Sequence, residues 1–219
     1  PLRPSLRELG GSGLKLLGGG ALDAAKPLLR EPPRYEVCLL GRTVVSRGGE
    51  PVRVRPRGLE ILALLLAHPE GLTSASLSDA IYGREDSAAL RVELYRLKES
   101  IGIELATSPY RLVTELTADV RAVDDLLRRG LVQEAVRLYR GPLLPQSQSL
   151  GVVTLREALE TQVVEAALVS GDLEAIWALA QVVTDELRLW ETLLRLPADD
   201  PRLHAVIGRV AWLRRDLEL

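Results

Sequence analysis

The sequence predicts an α+β fold: a small antiparallel sheet, three short helices and a closing hairpin, followed by an all-α helical domain. Three observations carry this prediction. Residues 35–56 hold short β-type runs separated by glycines, and residues 57–102 carry apolar side chains at helical spacing. From Thr117 onward a helical pattern recurs to the end of the chain. The organisation divides into residues 1–34, 35–115 and 116–219.

Residues 1–34 contain two short leucine-bearing pieces interrupted by Gly10, Gly11, Gly13 and the glycines at 18–20, then by Pro27, Pro32 and Pro33. Such punctuation predicts a linker or a pair of loose helices, not a core. The runs YEVCLLG, RTVV and PVRVRP follow, with turn glycines at 41, 48 and 49. Val52, Arg53, Val54 and Arg55 alternate with period two, as a half-buried strand does.

In residues 57–83, Leu59, Ile61, Leu62, Leu65 and Leu66 predict a buried helix that ends at His68-Pro69 and Gly71. Thr73 caps a second helix with Leu77, Ala80 and Ile81 inward, and Gly83 closes it. A third helix spans 87–101. Asp86 or Ser87 caps its start, Leu90, Leu94, Leu97 and Ile101 form one apolar stripe, and Gly102 stops it. IELAT and YRLV flank Ser108-Pro109 as a terminal hairpin. Two helices joined through a glycine-containing turn make a helix-turn-helix, and strands, three helices and a closing hairpin describe a winged helix.

The 87–101 helix is the natural reading element for the major groove of double-stranded DNA. Its exposed side carries Ser87, Arg91, Tyr95 and Lys98, with Arg96 at the margin, and Arg55, Arg57, Thr107 and Arg111 extend the candidate surface. Several have an ordinary alternative. Arg96 stands three residues after Glu93 and can form a local ion pair, and an exposed Arg91 can be merely solvated. Tyr95 either stacks on sugar or packs on the wing. Arg53 and Arg55 fit equally the polar face of an edge strand.

Charge argues against an easy assignment. Residues 35–115 hold ten Arg and Lys against eleven Asp and Glu, where a DNA-binding domain is expected to be basic. A DNA reading therefore requires the cations to share a face. A non-catalytic protein-interaction module built on a degenerate winged helix is the alternative.

The tail reads as helices at 152–169, 173–182, 186–196 and 201–217, after a helix pair divided at Gly130 and a break at GPLLP. Trp177, Trp190 and Trp212 are expected to anchor its packing. Residues 116–219 carry twelve Arg and Lys against sixteen Asp and Glu, so phosphate repels this region. It is left for protein contacts, which under the DNA reading are a second copy of the chain, as a homodimer, and RNA polymerase.

Catalysis finds no support: His68 and His204 lie far apart, and no metal-ligand cluster, phosphate loop or nucleophile elbow occurs. No cofactor is implied. No run approaches the roughly 18 apolar residues of a membrane span. The first residues lack the order of a signal peptide, and a lone Cys38 fits a reducing, cytoplasmic setting.

Residues 57–112 resemble the OmpR/PhoB-type winged helix of bacterial response regulators, through LALLLAHPEGLTSASLSDAIYG, ALRVELYRLKESIG and ATSPYRL. ADVRAVDDLLRRG and LYRGPLLP look like the start of the bacterial transcriptional activator domain. RPRGLEILALL, LYRGPLLPQSQSLGVV, DLEAIWAL and LPADDPRL look closest to the C-terminal half of GAF-domain-containing bacterial regulators, and no stretch of these 219 residues resembles the GAF sensor. The resemblance implies the output half of a sequence-specific transcriptional regulator. The family's wing tip reads Arg-Gly-x-Gly-Tyr-Arg, where this chain has the shorter Thr107-Ser108-Pro109-Tyr110-Arg111. The last family Arg survives as Arg111 and the first is missing. Backbone contact with little minor-groove reading is the expectation.

Overall fold

The computed structural model describes residues 34–216; all but the last residue of the predicted N-terminal linker lies outside the described residues. β1 (Tyr35–Cys38) turns Tyr35 and Val37 inward and Glu36 outward. It pairs antiparallel with β2 (Val44–Arg47), Val37 opposite Val45. A Gly48 and Gly49 turn returns the chain to β3 (Glu50–Pro51). On the other side of β1 lies β6 (Thr117–Ala118), running parallel, so the order is β3-β2-β1-β6.

The sheet is therefore mixed, not wholly antiparallel, and Thr117 opens the tail with a strand instead of a helix. Two residues are too few to show alternation, and their partner is some eighty positions earlier. Residues 52–55 also depart from expectation. Val52 and Val54 are half-buried and Arg53 and Arg55 exposed, but the ladder ends near Val52, whose N–H still reaches Val45 O at 2.8 Å. Arg55 is extended because it caps the next helix, with Pro56 fixing its first turn.

α1 (Pro56–Ala67) is buried without a break from Glu60 to Leu66. α2 (Ser74–Tyr82) begins where Thr73 accepts from Ser76 N at 3.1 Å, and α3 (Ser87–Ile101) where Asp86 accepts from Ala89 N at 3.0 Å. Gly83 and Gly102 end them in the left-handed conformation. β4 (Leu105–Thr107) and β5 (Tyr110–Leu112) form the wing, tied to the α1–α2 turn by two backbone hydrogen bonds between Leu72 and Tyr110.

The remaining helices are α4 (Asp119–Arg128), α5 (Val132–Leu138), α6 (Leu150–Ser170), α7 (Leu173–Ala180), α8 (Leu187–Leu193) and α9 (Leu203–Asp216). Trp177 and Trp190 meet edge to face at 6.1 Å, and Trp190 Nε1 donates to Thr184 O at 2.9 Å. Trp212 does not anchor this packing: it is 45% exposed and lies under the Arg209 guanidinium at 4.4 Å.

One hydrophobic core runs from Tyr35 to Leu213. The Asp119 carboxylate accepts from Leu39 and Leu40 N–H where β1 ends. Arg121 Nε donates to Leu66 O at the end of α1, and Arg156 donates to the carbonyls of Leu143, Leu144 and Ser147. Ser147 donates to the buried Glu60 of α1 at 2.6 Å. A side chain at Gly151 would come within 2.6 Å of Ala80 Cβ, so α6 lies directly on α2.

Candidate nucleic-acid interface

α3 advances about 100° per residue, so its buried stripe determines its free face. Leu90, Leu94, Leu97 and Ile101 are all buried. Opposite them run Ala88, Val92, Tyr95 and Glu99, with Arg91 and Lys98 on one flank and Arg96 on the other. Val92 is 49% and Tyr95 65% exposed. The caps at Asp86 and Gly102 fix both ends of this face, and Tyr35 Oη donates to Gly102 O at 2.7 Å, which fastens the helix end to the sheet.

Sequence-predicted residues divide sharply in their surroundings. Arg91 is exposed, its Nε donating to Ser87 O at 3.1 Å, and Ser87 itself is half-buried at the margin. Tyr95 stands open to solvent instead of packing on the wing. Lys98 is exposed, and among the described residues no carboxylate pairs with it or with Arg91, Arg53, Arg55 or Arg111. Arg96 is held by Glu93 at 2.5 Å, the local ion pair that its spacing allowed. Thr107 and Arg111 are exposed on β4 and β5.

Arg57 is exposed, but its guanidinium is engaged within the fold. Its guanidinium pairs with Glu60 at 2.6 Å, donates to Ile81 O at 3.1 Å and lies 5.3 Å over the Tyr82 ring. It fastens α1 to the end of α2. Burial, then the nearby Glu93 carboxylate, pushes the Tyr82 phenol above its ordinary range.

The acids of this region are partly neutralised in place. Glu60, Asp86 and Glu93 pair with Arg57, Arg84 and Arg96. On the free face of α3, Arg91 and Lys98 then stand against Glu99 alone. Sequence reasoning passed over Ala88, Val92 and Glu99. Projecting the helix from its Leu90–Leu94 stripe places all three at its centre.

A helix-turn-helix whose second helix shows a free face of mixed apolar and charged side chains, closed by a two-stranded wing, is a winged helix within an α+β chain. No protein-family model matches the chain. It is similar to an uncharacterised 47.3 kDa protein in the thcA 5′ region of Rhodococcus erythropolis, 38% identical over 201 residues. Those residues are 90% of this chain and 46% of that protein, so the chain spans about half the length of the curated relative it matches. Among solved structures it is similar to Mycobacterium tuberculosis EmbR in complex with a low-affinity phosphopeptide. The identity is 18% and the TM-score 0.48, over 84% of this chain and 60% of that one. Neither likeness carries a function across to this chain.

Among the described residues no helix is long and apolar enough to cross a membrane. Nor does any group of three or more His, Cys, Asp or Glu side chains among them offer a metal site.

Proposed function

We propose that this chain is the output part of a sequence-specific DNA-binding transcriptional regulator of the OmpR/PhoB winged-helix type, acting in the cytoplasm without catalysis or cofactor. The observation that carries the reading is the free face of α3. The core holds the helix along one stripe and leaves Arg91, Tyr95 and Lys98 exposed, with no carboxylate paired to either cation among the described residues.

In the major groove, Arg91 in the first half of α3 is placed to meet a guanine edge, and Ala88 and Val92 suit a thymine methyl. Lys98, Arg111, Arg53 and Arg55 serve phosphates, which position the protein without reading sequence. The wing tip Thr107-Ser108-Pro109 lacks a long cation, so contact there is with backbone through Arg111. The acidic tail resembles a bacterial transcriptional activator domain, and its proposed partners are RNA polymerase and a second copy of the chain on repeated half-sites. Association with a GAF sensor belongs to the same reading.

Duplexes selected from a random pool, titrated by fluorescence anisotropy at several salt concentrations, test this. Arg91→Ala should weaken the selected duplex by about 1–3 kcal/mol and relax specificity at one position. Lys98→Ala should weaken all duplexes alike and reduce the salt slope by about 1. Equal binding by wild type and both variants would remove α3 as the reader.

A second reading rests on the exposed Val92 and Tyr95 beside Glu99, in a region of near-zero net charge. There the winged helix is a platform for a protein partner. Failure to retain any duplex at low salt favours it.

A further inference from the structure

The end of α1, α4 and α6 line an open cavity of about 490 Å³, none of whose lining residues belongs to α3. Its volume falls in the range of small-molecule sites. The buried leucines and valine Leu66, Val120 and Leu159 line it, with the half-buried Leu155. Its charged groups are not equivalent. Asp124 is paired with Arg128 at 2.6 Å, and Asp125 with Arg129 at 3.2 Å.

Arg121 has no such partner. Its Nε donates to Leu66 O at 2.9 Å, and no described carboxylate lies within ion-pair distance of its terminal nitrogens. Burial pushes this guanidinium below its ordinary value. A half-buried cation beside apolar side chains, with no carboxylate of its own, gains from a counter-charge, and a planar carboxylate matches its two terminal amino groups.

We infer that this cavity binds a small amphipathic carboxylate, its apolar body against Leu66, Val120, Leu155 and Leu159 and its carboxylate on the Arg121 terminal nitrogens. The occupant also touches Pro69 in the α1–α2 turn. That turn is bonded through Leu72 to Tyr110 of the wing, so an occupied cavity and the winged helix share a rigid element. The site is independent of the DNA reading, because ligand binding is measured without DNA.

The experiment titrates the full chain with 1-naphthaleneacetate and with uncharged 1-naphthaleneacetamide, by calorimetry and ligand-observed NMR. The acid should bind about tenfold or more tightly than the amide, the worth of a charged hydrogen-bonded pair. Gln162→Glu, an exposed lining position, sets a carboxylate against the ligand's own and should abolish that preference without moving the unfolding midpoint. Ala158→Phe, on the same lining, should weaken both probes by occupying the apolar space. No saturable binding of either probe to the wild type, equal affinity for the two, or binding indifferent to both substitutions would each overturn the inference.

Discussion

α1 and α3 belong to the same winged helix, yet one is buried over most of its length and the other along a single stripe. α1 is buried continuously from Glu60 to Leu66, whereas α3 buries only Leu90, Leu94, Leu97 and Ile101. The difference lies in what surrounds them. α2, α3 and β5 pack on α1, and α4 and α6 from the tail also rest on it. Its polar groups are all engaged: Arg57 with Glu60 and Ile81 O, Glu60 with Ser147, and the Leu66 carbonyl with Arg121. α3 is held along one stripe, and its remaining side chains bond locally or not at all. Residues without a structural partner are the ones most free to serve a ligand, which is why the α3 face is the candidate interface, whereas Arg57 would first have to leave Glu60 and Ile81 O.

Removing the cover of α1 has the largest expected effect. A chain ending at residue 116 loses β6, the Asp119 carboxylate on Leu39 and Leu40, the Arg121 cap and the whole of α6. It should show no cooperative urea transition by circular dichroism. A sharp transition with the native helical signal would mean that α1 does not need the tail.

Single core changes come next. Leu65→Ala, at a fully buried position of α1, should destabilise by about 2–5 kcal/mol in denaturant melts. A loss below about 1 kcal/mol would show α1 to be looser than its burial states.

Gly151→Val tests the seat of α6 on α2. A side chain there meets Ala80 Cβ at 2.6 Å and Ala80 O at 3.1 Å, and backbone cannot yield cheaply. The expected loss is about 1–3 kcal/mol. An unchanged midpoint would place slack between α6 and α2.

The smallest effect belongs to the open face. Arg91→Ala and Lys98→Ala should each leave stability within about 0.5 kcal/mol, since neither side chain supports the core. Thermal melts that fell by several degrees would show a hidden structural role and weaken the contrast with Arg57.

The α2–turn–α3 unit was legible almost residue by residue. Thr73, Gly83, Asp86 and Gly102 cap where their positions promise, because each cap bonds a group within four residues. The apolar stripe of α3 was equally plain, and it implied the exposed Val92 that a count of cations overlooked. Trp212 was misjudged by residue type: a large ring usually packs, but on the last described helix it meets Arg209 and solvent.

The sequence alone therefore determined the order of the helices, the ends of α2 and α3 and the wing, since one turn of helix or one hairpin contains all the partners those features need. In the tail it ran a helix over 186–196 where α8 is Leu187–Leu193, and over 201–217 where α9 is Leu203–Asp216. Tertiary structure decided the parallel strand β6, the commitment of Arg57 and Arg121, and the burial of Glu60. Those outcomes depend on groups 24, 55 and 87 positions away in the pairs Arg57–Ile81, Arg121–Leu66 and Ser147–Glu60. A guanidinium or carboxylate takes whichever partner the fold desolvates beside it, and spacing along the chain carries no record of that choice.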